Sequence, residues 1–285
     1  MCRFLVYLGQ PVLLNTVITL PGNSLIHQSK QAKEMINTAE VNGDGFGIGW
    51  YTPEISEEPA VFKSIRPAWN DLNLDYLLPK IRSHCFLAHI RAAMHGGVEF
   101  ANSHPFHYGR YLFIHNGMIG GFQTIKRHMR HRLSDAMYGW VQGQTDTEHM
   151  AALYLERLAD RDKPASMDEM AGTLRQVIAE IRELQVEFGV PDDALTVLNF
   201  VICDGEKVLI SRYASDLARA STLYYAFGER YTCEGELCQL PQGERVGAVI
   251  VASEKLDSDD MHWQEVPKNH LVLLEKGRAP RLAEI

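Results

Sequence analysis

A cysteine follows the first methionine directly, in Met1-Cys2-Arg3. Removal of Met1 would leave one residue carrying both a thiol and a free α-amine. With a reference pKa of about 7.7–8.0, that amine is partly unprotonated at neutral pH and can take the thiol proton. The plainer reading is a small apolar residue opening a strand. His115-Asn116-Gly117 closes a strand candidate. Asn-Gly there normally makes a tight turn, but an Asn116 amide followed by the Gly117 N–H also has the makings of an oxyanion hole. Met118–Phe122 is short and glycine-broken, a poor hairpin partner, which favours the second reading. Arg91 ends the strand-like Ala88-His89-Ile90-Arg91 with a planar fork suited to a carboxylate, although a surface arginine would look the same. Thr145-Asp146-Thr147-Glu148 has capping-box spacing, and an Asp146 carboxylate facing a pocket would bind an ammonium group.

Other patterns carry less. Gly43, Gly45, Gly47 and Gly49 alternate through Asn42–Trp50, but no register gives the dinucleotide fingerprint, and no P-loop pattern occurs. The run reads equally as a crowded strand or as a pocket lining. Nine of the twelve histidines lie between His84 and His149, with His104-x-x-His107 and His128-x-x-His131 among them. Neither pair has metalloprotease spacing or converging partners, so no metal is expected. No G-x-S-x-G supports a nucleophilic serine. Cys233-x4-Cys238 reads as a strand or loop pair without a role, a disulfide or half a metal site being the alternatives.

These residues need elements to hold them. Short β-branched and aromatic runs predict strands at 3–8, 46–51, 60–65, 85–91, 111–115, 196–203, 207–213, 223–227, 246–252 and 271–274, with Asp204-Gly205 as a hairpin signal. Helices are predicted from Thr145 through Leu158 and from Ser166 to Gly189, and weaker ones over 28–38 and 124–133. The order is strands, helices, strands. Without regular βαβ alternation, two largely antiparallel sheets with helices packed outside fit better than a doubly wound sheet.

Composition sets the frame. With 46% hydrophobic and 22% charged residues over 285 positions, the chain has the make-up of a globular protein with a substantial core. A formal charge of −8 argues against nucleic acid as a partner. Apolar runs far short of about 20 residues argue against a membrane span. The start is too short for a secretory signal, and five cysteines without CxxC favour a reducing compartment, so the cytoplasm is expected.

In order along one chain, Cys2, Gly43–Gly49, His89-Ile90-Arg91, His115-Asn116-Gly117 and Thr145-Asp146-Thr147-Glu148 resemble the class II glutamine amidotransferase domain of the N-terminal nucleophile hydrolases. MCRFLVYLG, Asn42–Tyr51, Asn102-Ser103-His104-Pro105-Phe106 and Leu195–Tyr213 look most like its small stand-alone branch, which includes hydrolases of γ-glutamyl compounds. The resemblance implies an α+β fold, a four-layer αββα sandwich of two mainly antiparallel sheets, with residues 1–285 as a single domain. It implies Cys2 as nucleophile after Met1 removal, Asn116 and Gly117 as oxyanion hole, Arg91 on the substrate α-carboxylate and Asp146 on its α-ammonium. No cofactor is implied. The expected partner is a small γ-glutamyl substrate; a separate acceptor enzyme taking ammonia, or a silent binding domain, are the alternatives. Two positions depart from the family: Met94 stands where many relatives have Thr, and Lys255 interrupts a segment that usually reads Ser-Glu-Pro-Leu.

Overall fold

The computed structural model describes residues 2–34, 41–93, 96–234, 237–257 and 262–285. The first half runs β1 (Arg3–Leu13), α1 (Asn15–Ile18), α2 (Leu25–Lys30), β2 (Phe46–Thr52), β3 (Ser56–Ser64), α3 (Asn73–Leu77), β4 (Arg82–Ile90), β5 (Phe106–Tyr108) and β6 (Tyr111–Met118). Four helices follow: α4 (Phe122–His131), α5 (Asp135–Trp140), α6 (Asp146–Arg157) and α7 (Met167–Glu187). The chain then adds β7 (Val197–Cys203), β8 (Lys207–Ala214), β9 (Tyr224–Gly228), β10 (Thr232–Glu234), β11 (Leu237–Gln239), β12 (Ala248–Ala252), β13 (Gln264–Glu265), β14 (His270–Glu275) and β15 (Arg281–Glu284).

Strand alternation builds the layers. In β1, Phe4, Val6 and Leu8 face one way and Leu5 and Tyr7 the other, yet all five are buried, so this strand is covered on both faces. It lies in a sheet of order β13-β9-β12-β1-β4-β2-β3, and a second sheet runs β15-β14-β8-β7-β6-β5. Their pairings are antiparallel. Phe4, Val6, Leu87 and Val251 of the first sheet meet Leu112, Ile114, Val201 and Ile210 of the second in the middle layer. Leu5, Tyr7, Phe86 and Ile250 pack outward against Val17, Ile18, Leu25 and Leu74 of α1–α3. On the far side, Phe113, Phe200 and Leu271 pack under Ile125, Leu153, Tyr154 and Leu174 of α4, α6 and α7. The result is the expected αββα order.

The glycine run is the crowded strand. A Cβ at Gly47 would collide with the His104 carbonyl oxygen, and one at Gly49 would stand 2.5 Å from a Leu112 methyl. What approaches β2 so closely is the polypeptide that carries His104, so the run seats that residue.

Several expectations need correction. β6 does not stop at His115 but continues to Met118, pairing Asn116 with Asn199 and Gly117 with Leu198. Asn-Gly is therefore strand, not turn. The helix expected over 28–38 sits instead at Leu25–Lys30, capped by Ser24, and residues 35–40 lie outside the described ones. Cys233 and Cys238, paired across β10 and β11, are joined by a disulfide rather than standing as idle neighbours.

Glu180 of α7 ties the helical layer together. Its buried carboxylate accepts two hydrogen bonds from Arg157, at 3.0 and 2.7 Å, and one from Arg132 at 2.8 Å. Burial disfavours the charge, but the two guanidiniums win and hold the carboxyl below its usual range. A depressed folded pKa means this stabilisation is complete above the unfolded value of about 4.3 and is lost as pH falls further. Glu180→Gln is expected to cost about 2 kcal/mol in urea unfolding at pH 7. The difference from wild type should shrink at pH 3.5; a constant difference would mean that the charge contributes nothing.

Candidate active site

Cys2 precedes the first ladder pair of β1, Arg3↔Ile90, and comes to lie at the end of the inter-sheet layer. Its Sγ accepts the Ala92 N–H at 3.4 Å and lies 3.5 Å from the Ala92 carbonyl oxygen. Around it a pocket of about 30 Å3 is lined by Cys2, Arg91, Ala92, His104, His115, Gly117, Thr145, Asp146 and Thr147. Burial pushes the thiol pKa up; the Ala92 N–H and the Arg91 guanidinium pull it down, and Asp146 raises it again. The net direction is upward, so the resting sulfur is a thiol and needs a base.

Arg91 follows β4 and is held by its own backbone, with its N–H on the Gly45 carbonyl at 2.8 Å and its carbonyl on the Asp44 N–H at 3.1 Å. Asp44 also accepts the Ala93 N–H at 2.8 Å, so the Asn42–Gly45 loop clasps both sides of the arginine. The guanidinium donates to the carbonyls of Gly97 at 3.0 Å and Gly96 at 3.4 Å. Asn102 reaches the same Gly97 carbonyl at 3.1 Å and accepts the Gln144 N–H at 2.8 Å. Gly96 and Gly97 are thus packed onto Arg91, and the remaining space is about that of one water molecule. Met94 lies outside the described residues.

Asp146 is the first residue of α6, with Thr145 as N-cap accepting the Glu148 N–H at 3.2 Å. The box is not reciprocal: Glu148 turns to the N–H groups of Gln142 at 2.9 Å and Gly143 at 2.6 Å. Asp146 accepts N–H bonds from Ile119 at 2.9 Å and Thr147 at 2.8 Å, which keep a charged carboxylate in place at a helix N-terminus. Gly117 is required by its neighbour strand: a Cβ would collide with the Val197 carbonyl oxygen and lie 2.7 Å from His115 Nε2. Asn116, by alternation, points into the inter-sheet layer and is buried; its amide oxygen has no hydrogen-bond partner among the described residues. Four of the five residues singled out in the sequence therefore line one pocket, and Asn116, next to Gly117 in β6, is not among its lining residues.

The histidines were not foreseen as a group. His115 donates from Nε2 to the Val197 carbonyl at 3.0 Å and accepts at Nδ1 from Thr147 at 3.1 Å, which fixes its neutral tautomer. His89 reaches the His115 carbonyl at 3.2 Å and stacks on His104, ring centroids 4.1 Å apart. His149 donates to the Thr145 carbonyl at 2.7 Å and accepts from Arg130 at 3.1 Å. Burial, before any neighbouring charge, drives all four toward the neutral form, His89 to about 3 and His149 to about 4. Among the described residues no group of three or more His, Cys, Asp or Glu is arranged to hold a metal ion. Because these folded pKa values lie below the unfolded value of about 6.5, the unfolded chain binds more protons, and stability falls as pH drops below that point. Each histidine should add a slope of about 1.4 kcal/mol per pH unit in the fully developed range. Melting temperatures read from pH 7.5 to 5 should decline steeply, and less steeply for His149→Gln; equal slopes would contradict the assignment.

Known proteins resemble this chain over most of its length. The sequence profile described as "Glutamine amidotransferases class-II" matches residues 24–284. A probable glutamine amidotransferase of Saccharomyces cerevisiae is 34% identical, over 97% of this chain and 82% of its own length. A γ-glutamyl-hercynylcysteine sulfoxide hydrolase of Mycobacterium tuberculosis is 33% identical, over 97% and 94%. Among solved structures, a glutamine aminotransferase class-II domain protein from Silicibacter pomeroyi superposes with a TM-score of 0.65 at 24% identity, covering 98% of both chains, which speaks for the fold. On these grounds the chain belongs to the class-II glutamine amidotransferases, a family of enzymes.

Proposed function

We propose that this protein hydrolyses a γ-glutamyl amide through Cys2, with residues 1–285 acting as one domain. The observation that carries the reading is the pocket itself, where a thiol one residue from the chain start meets a guanidinium and a carboxylate. A free γ-glutamyl head presents one α-carboxylate and one α-ammonium, and Arg91 and Asp146 match those signs. With Met1 removed, the Cys2 amine takes the thiol proton as Sγ attacks the γ-carbonyl carbon. Asn116 and the Gly117 N–H receive the oxyanion, the proton passes to the departing nitrogen, and a γ-glutamyl thioester remains. Water, deprotonated by the same amine, then attacks the thioester, giving glutamate and the free thiol. No metal or cofactor is needed for this sequence.

The mycobacterial relatives named as γ-glutamyl-hercynylcysteine sulfoxide hydrolases favour hydrolysis as the outcome. The test is glutamate release from a donor panel, glutamine and γ-glutamyl peptides and thiol conjugates, by protein whose mass shows Met1 removed. No glutamate from any donor would defeat the reading. Activity appearing only on addition of a second protein would point instead to ammonia delivery to an acceptor enzyme.

A further inference from the structure

Chain ends fray unless tied down. Cys2 lies outside the β1 ladder, which begins at the pair Arg3↔Ile90. Two kinds of tether reach it. One is the thiol contact with Ala92 already described. The other comes from a residue outside the pocket lining: Arg3 Nη1 donates to the Cys2 carbonyl at 3.0 Å.

Arg3 is itself fixed. It is 2% exposed and pairs through Nη2 with Glu254 Oε1 at 2.7 Å, Glu254 being 1% exposed. The Glu254 carboxylate also accepts the N–H groups of Lys33 at 3.1 Å and Glu34 at 2.9 Å. One position earlier, Ser253 Oγ accepts the Phe4 N–H at 2.9 Å and the Ser253 N–H donates to the Phe4 carbonyl at 3.1 Å. These bonds carry the β1–β12 pairing past its last regular pair, Leu5↔Ala252. The two residues after β12 therefore grip the two residues after Cys2.

A buried ion pair is a poor device for stability alone, because an apolar pair of similar volume generally holds a fold as well or better. What such a replacement cannot supply is the bond to the Cys2 carbonyl. We infer that Arg3 and Glu254 are positioning residues: the fork of Arg3, oriented by Glu254, fixes the Cys2 backbone so that thiol and α-amine point into the pocket together. This rests on Cys2 being the nucleophile. Neither residue touches substrate in this arrangement. Their effect falls on the rate of the covalent step and little on binding, since Arg91 and Asp146 are held by other contacts.

The test uses the full chain, with Met1 removal verified by mass for every variant, and a diazo-ketone analogue of glutamine as probe. The decisive variant is Arg3→Met/Glu254→Gln, which removes both buried charges and leaves a side-chain oxygen for one of the Lys33 and Glu34 amides, at the cost of the other's hydrogen bond. Its melting temperature should lie closer to wild type than that of either single variant, while the maximal rate of Cys2 labelling falls about 100-fold and the half-saturating probe concentration moves less than about threefold. Arg3→Lys is the second probe. It keeps the charge opposite Glu254 but not the fork, and it should label slowly in a protein that melts near wild type. Wild-type labelling rates in either well-folded variant would overturn the inference. Cys2→Ala separates the two claims: if it still takes up the probe at the wild-type rate, the nucleophile reading falls and the clamp with it. If Cys2→Ala is inert while the double variant labels normally, only the clamp falls.

Discussion

Cys2→Ala protein, otherwise intact and with Met1 removed, is expected to lose γ-glutamyl hydrolysis by at least about 10^4-fold in kcat/KM. The loss should be in turnover, because the groups proposed to hold the substrate head, Arg91 and Asp146, keep their own partners among Gly45, Gly97, Ile119 and Thr147. Folding should barely change, since among the described residues the sulfur gives up its hydrogen-bond contacts with Ala92 alone. The substrate should still bind, so isothermal titration of the variant with an uncleaved donor gives a dissociation constant near the wild-type KM where chemistry is slow. Protein in which Met1 is retained should match the alanine variant, because an amide nitrogen cannot act as the base and burial holds the thiol in its protonated form. Glutamate release by the alanine variant within tenfold of wild type would place the nucleophile elsewhere.

Asp146→Asn should lower kcat/KM about 10^3-fold, mainly through KM. Two losses combine. The substrate ammonium forfeits its counter-charge in a small pocket lined mostly by buried residues. The carboxylate oxygens that accept the Ile119 and Thr147 N–H groups become one oxygen and one NH2, so one amide donor faces another donor. A des-amino donor, glutaric monoamide, separates the losses. Wild type should prefer glutamine over this analogue by a large factor, and the Asn variant by far less, because the discriminating partner has gone. An unchanged preference would remove Asp146 from ammonium recognition and leave it a backbone anchor.

Much of this architecture was legible because burial writes itself into alternation. Val6, Leu87, Val201 and Val251 announce strands that become the inter-sheet layer, and the Ser166 cap with its apolar stripe announces α7. Cys2, Arg91, Gly117 and Asp146 carry weak signals singly; their order along the chain singles them out, and the four line one pocket. What stayed hidden depends on contacts distant in sequence. Asn116-Gly117 is a turn signal locally and a strand in the molecule because β7, about 80 residues later, supplies its pairing partner. The neutral states of His89, His104 and His115 follow from a shared burial that no local pattern encodes. Arg3 and Glu254 are 251 positions apart, and nothing in either neighbourhood says that they meet. Helix α2 ends at Lys30 because Gln31 leaves the helical region of backbone angles and the N–H groups of Lys33 and Glu34 bond Glu254 instead.

The single-water pocket has a chemical consequence of its own. Arg91 rests on two neutral carbonyls, those of Gly96 and Gly97, and a carboxylate is a much stronger partner for a guanidinium. A molecule that carries a carboxylate would compete for that guanidinium, whereas a peroxide or a simple alkylating agent brings no charge with which to do so.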